Sequence, residues 1–134
     1  YGALRGKLKI CLLRGDIQGE LDNSVDDFCK LGPANPTVPN DLIDLFLEND
    51  YCDYLLQTLN RKILDYKEDF EAQGNFYFAL GSLYQHLGDN DKSKYQFLEA
   101  KKLFRKVFET DHEVFTVLEK IFRNLKGSKV KSKE

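Results

Sequence analysis

The sequence predicts an all-α fold, and three observations carry that prediction. Apolar residues recur at every third or fourth position along most of the chain, the period of a helix that buries one face. No stretch sustains the alternation of apolar and polar residues that a strand requires. The three prolines all fall between residues 33 and 39, so the remaining chain is free of the strongest helix breaker.

Taken in order, residues 4–14 place Leu4, Leu8, Cys11 and Leu12 on one helical face before Gly15 and Asp16 break the run. A second stripe, Ile17, Leu21, Val25 and Phe28, ends at Gly32-Pro33. Residues 34–40 are expected to form a connection, because Pro36 and Pro39 resist regular structure, with Pro39 or Asn40 able to begin the next helix. Leu42, Ile43, Leu45, Phe46 and Leu47 then mark a short apolar helix, interrupted at Asn49-Asp50. The next stripe is Leu55, Leu59 and Ile63, in a helix from Tyr51 to about Tyr66. Residues 75–108 carry the strongest pattern. Leu80, Leu83, Tyr84 and Leu87 form one stripe, residues 88–91 break it, and Phe97, Ala100, Phe104 and Val107 form another, which predicts two antiparallel helices. Small residues Ala79, Gly81 and Ser82 permit a close approach between them. A last helix, residues 112–125, carries Phe115, Leu118, Ile121, Phe122 and Leu125. Residues 126–134 are basic, lack apolar periodicity and are expected to be a disordered tail.

Within the strongest hairpin, Leu80-Gly81, Tyr84, Gly88-Asp89, Phe97 and Ala100 give a pattern that resembles a tetratricopeptide repeat, with Ser93 where that family usually carries Ala. The breakers at residues 15–16, 49–50 and 88–89 are spaced 34 and 39 residues apart, the first being the period of that repeat. The longer interval places its extra residues near 67–71, as a lengthened helix or turn. The resemblance implies a right-handed α-solenoid of about three helix-hairpin repeats plus a C-terminal capping helix, filling residues 1–125. It also implies a concave groove lined by the first helix of each pair. The positions it assigns to partner binding are Arg5, Lys9, Asn40, Phe46, Asn75, Phe78, Ser82, Gln85 and His86.

Composition bounds the function. The chain has 134 residues, enough for one domain, with a net charge of -2 and no apolar run of the ~18 residues that a membrane span needs. No signal peptide opens it, and a start at Tyr1 with no Met anywhere points to an excised piece. Three cysteines without a paired spacing suit a reducing compartment: a cytoplasmic setting, with the nucleus as the alternative. They are small apolar core residues or, less simply, reactive thiols.

Charge is unevenly distributed. Residues 16–71 hold fourteen acids and four bases, about -10, whereas residues 92–106 hold six bases and one acid, about +5. The simplest account of the basic stripe is the wet face of an amphipathic helix. Its functional counterpart is an acidic partner, including the 16–71 region of a second copy; nucleic acid is disfavoured by the acidic half.

No metal, cofactor or catalytic site is expected. His86 and His112 lie far apart in sequence without a neighbouring nucleophile, and the clusters Asp22, Asp26, Asp27 and Asp65, Glu68, Asp69 lack the spacing of a calcium loop. Three classes of function stand against one another. The first is a protein-protein or peptide-binding scaffold. The second is the sensory part of a larger regulator, although residues 1–33 show no helix-turn-helix. The third is an enzyme or RNA-binding helical repeat.

Overall fold

The computed structural model describes residues 13, 23, 25–27, 37–48 and 51–132. Among these it is all-helical, with five helices and no strand: α1 Thr37–Glu48, α2 Cys52–Asp65, α3 Phe70–His86, α4 Asn90–Phe104 and α5 Glu113–Ser132. Residues 25–27 are also helical. The hairpin expected over residues 4–31 falls largely outside the described residues.

Helix boundaries follow from capping chemistry. α1 begins at Thr37, two or three residues before the expected start at Pro39 or Asn40. A proline in the first turn forfeits no hydrogen bond, because the first N–H groups of a helix have no internal acceptor. α3 begins at Phe70, where Asp69 accepts a 3.1 Å hydrogen bond from the Ala72 N–H and caps the end. The additional residues of the 39-residue interval therefore lengthen α3. Its C-terminus closes in a Schellman arrangement: Asp89 N–H donates to Tyr84 O at 3.0 Å and Gly88 N–H to Gln85 O at 3.2 Å. Gly88 has φ +82°, the left-handed conformation this motif needs. Asp89 then caps α4 by accepting from the Lys92 N–H. Because Leu87 sits in this turn and Val107 in the turn after α4, both are exposed instead of continuing the apolar stripes. At the end of the chain, the α5 backbone stays helical past Leu125 to Ser132.

Two apolar clusters fill the interior. Val25, Ile43, Leu45, Phe46, Leu55, Leu59 and Ile63 meet Phe76, Ala79, Leu80 and Leu83 of α3. Phe78 of α3, with Phe97, Ala100 and Phe104 of α4 and Val114, Leu118 and Leu125 of α5, forms the second. α3 serves both, and from Gly74 to Leu83 every residue except Tyr77 is buried. A helix apolar on all sides has to be covered on all sides.

The α3–α4 contact is close because glycine faces phenylalanine. A Cβ built on Gly81 would lie 2.8 Å from the Phe97 ring, and one on Gly74 would lie 2.5 Å from the Phe104 ring. Ser93 adds a buried bond, its hydroxyl donating to Gly81 O at 2.8 Å. The chain between α4 and α5 is held by a column of rings, Phe104 against Phe108 and Phe108 stacked on His112 at 4.1 Å. On the other side of the molecule, Lys62 Nζ lies 2.9 Å from Asp26 Oδ1, both largely buried, although the carboxylate oxygen is not aligned for a directed hydrogen bond. This pair ties the 25–27 segment to α2.

Candidate functional site

Two helices that are not neighbours in sequence form a groove. From α3 come Phe78, Ser82 and Gln85, and from α5 come Val117, Lys120, Ile121 and Asn124. Each set repeats at three- and four-residue intervals, so each is a single row on one helix face. The space between them is about 410 Å³.

The floor is set by the core beneath. Phe78 is 1% exposed and stands edge-on to Phe97 at 5.2 Å, and Phe97 in turn meets Phe122 edge-on at 6.4 Å. These three rings fix how far apart α3 and α5 can lie. The Ser82 hydroxyl donates back to Phe78 O at 3.2 Å, which satisfies its proton and leaves its oxygen as an acceptor. Gln85 and Asn124 supply amides from opposite walls, and Val117 and Ile121, half-buried, supply apolar surface. Among the lining residues Lys120 alone is charged. The arrangement combines half-buried apolar surface with hydrogen-bonding groups on both walls.

The residues nominated from the sequence separate into distinct groups. Phe78, Ser82 and Gln85 come together in the groove. His86 turns the other way: Nδ1 lies 2.9 Å from Ser82 O, and Nε2 lies 3.5 Å from Asp44 Oδ1 on α1. Asn75 is 8% exposed, and its Oδ1 has no hydrogen-bond partner among the described residues. Phe46 is fully buried and stacks on Tyr54, so it holds the core and presents no surface to a partner. Asn40 belongs to the first turn of α1. Arg5 and Lys9 lie outside the described residues. The α5 wall was not anticipated: Ile121 was read as part of the buried stripe, and Val117, Lys120 and Asn124 lie beside it at helical spacing.

Acid–base groups elsewhere are engaged in structure. His112 Nδ1 accepts from the Val114 N–H at 3.1 Å and caps α5. Burial, and secondarily the neighbouring Asp53 charge, push the Cys52 thiol above its ordinary range, which disfavours the reactive thiolate. Among the described residues no group of three or more His, Cys, Asp or Glu side chains is arranged to hold a metal ion, and no helix is long and apolar enough to cross a membrane. No known family model matches the sequence, and neither a curated protein nor a solved structure matches it.

Proposed function

We propose that this chain is a protein-binding scaffold, a short α-solenoid of tetratricopeptide-like hairpins that holds an extended peptide segment of its partner between α3 and α5. The observation that carries the reading is the groove itself: half-buried Val117 and Ile121 as its apolar surface, amides on both walls and one lysine, between alternate helices. In a stack of hairpins, the first helix of each pair faces the same side as the first helix of the next. On this reading α3 and α5 are the first helices of successive pairs, with α4 returning between them. The Gly81–Phe97 contact and the Gly88-Asp89 turn supply the small-against-large packing and tight reversal on which such hairpins depend.

A random-peptide phage library tests this reading. Panning on the folded chain is expected to enrich sequences with an aliphatic or aromatic anchor and an acidic neighbour for Lys120. Val117→Lys, at a half-buried position where the long side chain extends into the groove, is expected to lose those peptides while melting like the parent. Equal retention of the enriched peptides by the variant removes the groove as the binding site.

A further inference from the structure

The outer face of α4 is a second surface, independent of the groove. The helix buries Ser93, Phe97, Ala100 and Phe104 and turns Lys94, Tyr95, Leu98, Lys102 and Arg105 to solvent. Tyr95 is 56% and Leu98 41% exposed. They are three residues apart, so they form one apolar island with bases before and after it. Glu99, the single acid of residues 92–106, is occupied by Lys102 at 3.5 Å. Lys101 sits over the Phe122 ring and Lys106 over the Phe70 ring. Lys94 and Arg105 make no ion pair among the described residues and leave the island with uncompensated positive charge.

The complementary surface belongs to the same sequence. Residues 37–65, which span α1 and α2, carry six acids and two bases, about -4, and Asp44, Glu48 and Asp53 are exposed. One of those two bases, Lys62, is already taken by Asp26. α1 packs against α2 and α3, whereas α4 packs against α3 and α5. With α3 between them, the basic face of one molecule meets the acidic face only on another. We infer that the exposed face of α4 docks the acidic α1–α2 surface of a second copy of this chain, head to tail. The contact is heterologous, two different patches on each copy, so it leaves one patch of each sign free for further copies. A nucleic-acid strand is the poorer occupant, since the acidic half repels phosphate.

Sedimentation velocity with two charge-reversed variants decides it. At ~10 mM ionic strength, where charges act over ~30 Å, the weight-average mass of the parent chain is expected to rise with concentration above the 15.6 kDa monomer, and in ~1 M salt to return to it. Lys94→Glu/Arg105→Glu and Asp44→Lys/Glu48→Lys are each expected to be monomeric alone at low salt. Mixed in equal amounts, they are expected to associate, because each retains the patch that the other has lost. A parent chain that stays monomeric at low salt overturns the proposal, as does a mixture that fails to pair while both variants melt like the parent. Binding of a labelled single-stranded oligonucleotide that is lost in Lys94→Glu/Arg105→Glu assigns the face to nucleic acid and overturns it also.

Discussion

Gly81 and Phe97 form a contact with no spare volume. The Phe97 ring is fully buried and held by Phe78 at 5.2 Å and Phe122 at 6.4 Å, so it has nowhere to move when a methyl group arrives 2.8 Å from its edge. Gly81→Ala gains about 1 kcal/mol of helix propensity and loses about 1–3 kcal/mol to overpacking. With the ring clamped on both sides the second effect is expected to win, giving a net loss of up to about 2 kcal/mol in urea unfolding. Combining it with Phe97→Leu should cost less than the sum of the two single changes. A Gly81→Ala variant as stable as the parent would show that the ring has room to shift. At this scale the sequence was informative about volume and silent about direction. Small residues at 79, 81 and 82, with Tyr84 and Phe97 as the large ones filling the seam, were legible as a close approach. The Ser93 hydroxyl reaching Gly81 O was not, because helical spacing places a residue on a face without saying which atom it bonds. Phe46 and Phe78 show the same limit, since an apolar residue at a groove position and one in a core have the same spacing.

Among the elements, α3 and its turn show how boundaries are set. Gly88 holds φ +82° with nothing near its missing Cβ, so Gly88→Ala meets only the backbone penalty of the left-handed region. That penalty is about 1–2 kcal/mol. Gly88→Asn is expected to lose less, since Asn tolerates this conformation better, and thermal melts of the two variants give the ranking. Should alanine cost nothing, the turn has another conformation available. The break at residues 88–91 was legible because glycine followed by Asp is a strong stop-and-restart signal. The starts of α1 and α3 were not. The sequence placed the start of α1 at Pro39 or Asn40, and the helix begins two or three residues earlier at Thr37; Asp69 is the cap of α3, but lies in a charged run with several equivalent candidates.

For the whole molecule, the junction between the 25–27 segment and α2 is the contact most exposed to a single change. Asp26→Ala strands the Lys62 ammonium in a site nearly closed to water, which is expected to cost about 3 kcal/mol. Adding Lys62→Met removes the orphaned charge and should restore most of that loss in chemical denaturation. A single variant as stable as the double variant would mean that water reaches Lys62. The helical class and the charge asymmetry were legible over this length because both are sums over many residues. The α5 wall of the groove was not, because its position depends on how Phe122 and Leu118 settle against α4, a tertiary fact without a local signature. The helix shared by both clusters also bears on how the chain is made. A nascent polypeptide halted after Leu87 can close the first cluster, but leaves Gly74, Phe78 and Gly81 bare along α3, an adhesive strip that only α4 covers. That hazard lasts until Phe104 has left the ribosome, and the short turn at Gly88 brings the cover into place with little delay.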